Sequence, residues 1–208
     1  DGSRLQLNTD SKVRILFDDE VREVALIRGE LFVDVEKDHR RPFLVTTDTA
    51  IVQATGTQFN VYRDDSATEV VVVEGSVSVQ RATSETKFAR NASDLISSLQ
   101  LNVGQKTIVA ESQDLQTSSF VDVSRAIAWT ERRLIFDDEL VATIANEFNR
   151  YNKTKFIVSD PDLANARISG VFDVNDPEAF TTLLDSLHAL EIQTTDAGEL
   201  RLSYKSNE

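Results

Sequence analysis

The chain of 208 residues contains no cysteine and no methionine. The missing thiols exclude disulfides, thiol catalysis and zinc–thiolate sites together. Only two histidines occur, His39 and His188. They share no motif, so neither is assigned a metal or catalytic role. Three prolines and seven glycines are too few for a low-complexity linker. No apolar run reaches the length needed to cross a bilayer. Aromatic residues make up 7% of the chain and are scattered, which weighs against a pocket built on stacked rings. Basic residues are in deficit: 22 Lys and Arg stand against 35 Asp and Glu, a net charge of −13. Duplex nucleic acid and anionic membrane surfaces are therefore disfavoured as partners, because binding them needs clustered cations. The one basic cluster, His39-Arg40-Arg41, is too short to change that. The start, Asp1-Gly2-Ser3, is neither a signal peptide nor an initiator methionine, and with methionine absent throughout the chain reads as part of a longer protein.

What is present in the first half is β-structure. Val13, Ile15 and Phe17 alternate with Arg14 and Leu16, and Leu31, Val33 and Val35 with Phe32 and Asp34. Phe59 and Val61 flank Asn60, and Val77 and Val79 flank Ser78. This period of two, rich in β-branched residues, is the signal of half-buried strands. Val70 to Val73 is apolar on both faces and reads as a strand covered on both sides. A weak repeat links "EVALIRGELFV" from Glu23 to "EVVVVEGSVSV" from Glu69, with Gly29 and Gly75 at the same place. Glycine there supplies a bend or bulge, so the repeat suggests sandwiched or solenoid-like stacking. Arg81 to Gln100 reads as a polar insertion with a short helix at Ser93–Ser98.

The period changes to 3.6 after Phe120. Leu140, Ile144, Phe148 and Tyr151 share a helical face, with Asp137 or Asp138 expected as N-cap. Asp176-Pro177-Glu178 marks a second helix start, followed by an apolar face of Phe180, Leu183, Leu184 and Leu187. Strands are expected at Arg133–Phe136, Lys155–Ser159 and Arg167–Phe172, and a closing hairpin around Asp196-Ala197-Gly198. The fold class is thus β plus α+β: an all-β sandwich or solenoid-like domain over 1–109, a connecting segment over 110–132, and a split β-α-β-β-α-β domain over 133–208. Trp129 is assigned to the domain junction. The acidic clusters Asp18-Asp19-Glu20, Asp64-Asp65 and Asp137-Asp138-Glu139 are assigned to turns and caps. No cofactor and no enzyme activity are expected.

Several segments, in order, carry a resemblance: "RGELFVDVEKDHRRPFLVTTDTAIVQATGTQFNVY", "VVVEGSVSV", "LNVGQKTIV" and "AWTERRLIFDDELVATIANEFNRYN". With Arg41-Pro42-Phe43, Gly56-Thr57-x-Phe59-x-Val61, Glu74-Gly75-x-Val77, and Trp129 with Leu134 and Phe136, they resemble the periplasmic part of the FecR family. These are single-pass inner-membrane regulators of extracytoplasmic-function sigma factors. "NRYNKTKFIVSDPDLANARISGVFDVNDPEAFTTLLDSL" resembles the short domain at the N-termini of secretins and TonB-dependent transporters.

The resemblance implies a periplasmic region that receives a signal from the N-terminal signalling domain of a TonB-dependent outer-membrane transporter taking up a siderophore or similar ligand. Regulated proteolysis by periplasmic and intramembrane proteases would follow, and the sigma factor would be reached only through a cytoplasmic part outside this sequence. The docking surface is expected on the C-terminal unit, at a strand edge formed by Arg167, Ile168, Ser169, Val171 and Phe172. Arg167 and Ser169 face outward there if Ile168 faces in. The alternative is a periplasmic ligand-binding β-domain for a glycan or another small molecule.

Overall fold

The computed structural model describes residues 1–64, 66–82, 98–110, 115, 121–188 and 190–205, and of His188 only the backbone. The expected helix at Ser93–Ser98 lies outside these residues, apart from Ser98 itself. The chain divides into two compact units, Asp1–Ile127 and Ala128–Glu208. The division falls inside the segment read as a connector.

The first unit is built from β1 (Arg4–Leu7), β2 (Lys12–Phe17), β3 (Arg22–Asp34), β4 (Phe43–Thr46), β5 (Ala50–Ala54), β6 (Gln58–Arg63), β7 (Ala67–Glu74), β8 (Ser76–Arg81), β9 (Leu99–Asn102) and β10 (Lys106–Ala110), with a short α1 (Val123–Ile127). The strands form one nearly closed sheet in the order β10-β7-β6-β3-β4-β5-β8-β9, with β1 and β2 added along β3. All pairings are antiparallel except β3 with β4.

The internal repeat marks two corners of this sheet. Strand β3 pairs through Arg22–Arg28 with β2 and through Arg22–Ala25 with β4, whereas Gly29–Asp34 pairs with β6 and, over its last four residues, with β1. Likewise β7 pairs with β6 and β10, and after Gly75 the chain continues as β8, paired with β5 and β9. Gly29 (φ +84°) and Gly75 (φ +80°) both adopt the left-handed conformation at the change of partner, which a Cβ resists.

The core between the strands is aliphatic: Val24, Leu26, Leu31, Val33, Val45, Val61, Val70, Val72, Val79 and Leu101 are fully or almost fully enclosed, with Phe43 and Phe59. Val71, on the opposite face of β7, is buried too, and α1 packs against that strand. The valine run is covered on both faces, as its composition requires.

Arg22 brings a charge into the interior of this unit. Arg22 has no exposed surface. Its guanidinium donates to the carbonyls of Glu36 and Arg41, pairs with Asp1 at 2.5 Å, and lies 5.4 Å from the centre of the Phe43 ring. Loss of hydration lowers its pKa from the usual arginine value. The carbonyls and the carboxylate satisfy the donors that burial removes from water.

The first strand expectation needs correction. In β2, Val13 is half-buried, but Ile15 and Phe17 are exposed along with Leu16. Among the described residues β2 has a strand partner, β3, on one side alone, so it lies at the margin of the sheet, where its inner face of Val13, Ile15 and Phe17 is only partly covered.

The second unit begins with a 3-10 turn, Ala128–Glu131, that buries Trp129. It continues as β11 (Arg133–Leu140), α2 (Val141–Tyr151), β12 (Phe156–Val158), α3 (Pro161–Asn165), β13 (Arg167–Asp173), α4 (Pro177–His188), β14 (Leu190–Thr194) and β15 (Leu200–Tyr204). The strands do not form one split sheet. β11 pairs with β13, while β12, β15 and β14 form a separate sheet in which β12 and β15 run parallel. Helix α2 touches β11 and β12, and α4 touches β13 and β14, so each helix bridges the two sheets. Four phenylalanines meet between them: Phe148 stacks on Phe180 at 5.3 Å and meets Phe172 and Phe156 edge-on at 5.6 and 6.2 Å.

Two capping expectations divide. Asp176 caps α4, its carboxylate accepting from the N–H of Ala179, with Pro177 at the first helical position. Asp137 and Asp138 cap nothing: α2 starts at Val141 after Leu140, without a side-chain cap. The N–H of Val141 is satisfied by the carbonyl of Ala166 instead. The stretch "SDPDLAN" holds a short helix that sequence reasoning did not assign. Asp160 accepts from the N–H groups of Asp162 and Leu163, and α3 follows with Pro161 first.

Candidate partner-binding edge

Strand β13 pairs with β11 and with no other strand among the described residues, so one of its sides is an open edge. Its pattern alternates. Ile168 and Phe172 point into the core, 5% and 7% exposed. Arg167, Ser169 and Asp173 face solvent, and Val171 is 60% exposed. Of the five residues singled out in the sequence, Arg167, Ser169 and Val171 offer side chains to a partner. Ile168 and Phe172 do not, because they hold the strand to α2 and α4.

The acidic run before α2 has a structural role in this edge. Register passes from Phe136 opposite Gly170 to Glu139 opposite Ile168, so Asp137 and Asp138 together face Ser169. That is a β-bulge, with Asp138 at φ +50°. Ser169 Oγ accepts from the N–H of Asp138 at 2.9 Å and donates to Asp137 Oδ1 at 3.5 Å. Arg167 donates to the carbonyl of Asp138 and lies 3.4 Å from its carboxylate. The outward side of the pair therefore presents Arg133, Ile135, Arg167 and Val171, with Val171 directly opposite Ile135. An exposed Val171 beside a half-buried Ile135, with arginines at either end and a strand edge that no described strand pairs, can bind another polypeptide. It holds no group arranged for chemistry.

The other acidic clusters behave as turns. Asp18 accepts from the N–H groups of Glu20 and Val21, and Asp64 from those of Ser66 and Ala67. Burial pushes the Asp64 carboxyl up, but these donors outweigh it and the pKa is lowered. The Asp173 carboxyl is likewise held down, chiefly by the N–H of Asn175. Among the described residues no three His, Asp or Glu side chains are grouped to hold a metal ion.

For a small-molecule site the first unit offers a shallow hollow of about 200 Å³ over β5, β8 and β9. Gln53, Ser78 and Gln100 line it from adjacent strand positions. Ligand pockets are usually larger and mostly apolar, roughly 300–1,000 Å³. The hollow is lined by no aromatic or charged side chain.

Sequence reasoning missed the bulge and α3. The bulge carries no sequence signature beyond an acidic pair. Asp160-Pro161 repeats the Asp-Pro start of α4 and was legible.

The architecture, a nearly closed β-unit followed by a two-sheet α+β unit, is that of two crystal structures of a candidate anti-sigma factor from Parabacteroides distasonis ATCC 8503. They superpose with TM-scores of 0.77 and 0.76 at 23% identity, covering 99% of this chain and 92% of theirs. Residues 1–78 match the family model described as FecR protein. No curated protein matches the chain.

Proposed function

We propose that this chain is the periplasmic signalling region of an inner-membrane sigma-factor regulator. It works by binding and not by catalysis. Its partner is the N-terminal signalling domain of a TonB-dependent outer-membrane transporter, docked along the open side of β13. Proteolysis of the regulator then frees or activates an extracytoplasmic-function sigma factor, which is engaged by a segment outside these residues.

The observation that carries this reading is the FecR match over residues 1–78 together with a whole-chain likeness of fold to a candidate anti-sigma factor. The open edge of β13, with Val171 60% exposed at its centre, supplies a surface suited to strand addition.

Calorimetric titration with purified N-terminal signalling domains of TonB-dependent transporters from the same bacterium tests it. One such domain binds at micromolar affinity or better, and Val171→Asp weakens it by about tenfold or more. The melting temperature changes little, since the side chain is exposed. Failure of every signalling domain to bind would overturn the partner. Unchanged affinity of Val171→Asp would move the interface off β13.

A further inference from the structure

The first unit has an open edge of its own, along β2. Ile15, Leu16 and Phe17 are 49%, 44% and 39% exposed, three consecutive large apolar residues on one strand. On its other side β2 pairs with β3 over its full length. Among the described residues no strand pairs with the free side. Natural edges are usually blunted by proline, by very short strands, by bulges or by charge. In β2 such devices are confined to the start, Lys12, Arg14 and a register shift between Lys12 and Val13, whereas the rest has no proline and no charge, and Phe17 meets Phe43 edge-on at 6.0 Å.

The order of residues on this edge selects an occupant. Lys12, Arg14 and Leu16 lie on the outer face and Val13, Ile15 and Phe17 on the inner face, because strand side chains alternate. Place a second copy of β2 antiparallel to the first, with the two-fold axis at Ile15. Ile15 then faces Ile15, Val13 faces Phe17, Arg14 faces Leu16, and Lys12 faces Asp18, the first residue after the strand. Every pair falls on a common face. The apolar residues meet each other and the terminal charges are opposite in sign, twice over. A register centred at Arg14 would set two arginines directly opposite, which is destabilising. A register centred at Leu16 would draw its charge partners, Asp18 and Glu20, from the turn beyond the strand and would set Asp19 opposite Val13, so the strand itself is self-complementary about Ile15, as an isologous interface demands.

We infer that two copies of this chain associate through β2, antiparallel about Ile15, extending the sheet across a two-fold axis. This surface belongs to the first unit and is independent of transporter docking at β13, so either can fail alone.

The native absence of cysteine makes the register directly testable. Opposed Cα atoms in an antiparallel pair stand about 4.5–5.5 Å apart, within the span of a disulfide. Ile15→Cys alone, under mild oxidation, gives a disulfide-linked dimer in high yield. Arg14→Cys and Leu16→Cys each link poorly alone, and link efficiently when mixed. The unmodified chain sediments as a dimer at concentrations on the order of a hundred micromolar. Ile15→Lys, a change on an exposed side chain, sediments as a monomer and melts as the parent does. The inference is overturned if the parent is monomeric at that concentration. It is equally overturned if Arg14→Cys or Leu16→Cys alone links as well as Ile15→Cys, or if Ile15→Lys still dimerises. The last two outcomes would place the contact elsewhere.

Discussion

Ser11 occupies the space into which a side chain at Gly29 would grow. A Cβ at Gly29 would stand 2.7 Å from the Ser11 Cα. Ser11 cannot retreat cheaply, since its Oγ accepts from the N–H of Glu30 at 2.8 Å and donates to the carbonyl of Thr9. The glycine corner and the serine opposite it are one device: the turn of β3 from one set of partners to the other is pinned by the loop that precedes β2.

A graded set of alanine substitutions follows from these surroundings. Gly29→Ala combines left-handed strain of about 1–2 kcal/mol with a backbone clash, so its total cost exceeds about 2 kcal/mol. A Cβ at Gly75 would stand 2.8 Å from the Thr57 methyl and no closer than 3.5 Å to any backbone atom, so a side chain and not the backbone must give. The cost of Gly75→Ala is expected nearer the strain alone. Gly198→Ala, at φ +79° with nothing within 4 Å, marks that strain-only level. Urea unfolding of each variant, read on the unit that carries it, checks the order. A Gly29→Ala cost no greater than that of Gly198→Ala would remove the steric part of the argument.

How much was legible depends on which force decided each element. The strands of the first unit and the two long helices were readable because burial imposes a period, and Phe148, Phe180, Val70 and Val72 sit where their periods put them. The repeat around Gly29 and Gly75 was readable as a bend but not as a change of sheet partner, which depends on pairings distant in sequence. Asp137 and Asp138 misled because an acidic pair before an apolar helical period fits an N-cap, whereas tertiary pairing with Ser169 drew them into a bulge. In the site, alternation correctly turned Arg167 and Ser169 outward. It also exposes Val171, which residue type alone would have placed in the core.

Phe148 tests whether the two units unfold separately. It is fully buried among Phe156, Phe172 and Phe180. Phe148→Ala removes those ring contacts and leaves a cavity, costing about 3–5 kcal/mol. Trp129, the only tryptophan, lies in the second unit, so its fluorescence follows that unit. In urea the fluorescence transition should move to lower denaturant, while the β-sheet circular dichroism of the first unit keeps its midpoint. Coincident shifts in both signals would show one cooperative fold.

The ion pair between Asp48 and Arg63 gives a prediction in pH. Arg63 Nε and Nη2 each donate to one Asp48 carboxylate oxygen at 2.6 Å, the two-pronged geometry that suits a guanidinium. The bonds from Arg63 hold the Asp48 pKa below its usual value of 3.8. A carboxyl lowered in the folded state stabilises at pH above its unfolded value, and that contribution is lost as pH falls through the folded value. The Asp48 side chain is 51% exposed, so solvent screening keeps the effect small. Asp48→Asn should cost no more than about 1 kcal/mol at pH 7. The gap between parent and variant should be smaller in 1 M salt, and should narrow as pH is lowered below the ordinary carboxylate range. Urea midpoints at neutral pH, at low pH and at high salt measure it. A gap of the same size under all three conditions would mean that the amide is a poorer fit in the turn, and that the charge contributes nothing.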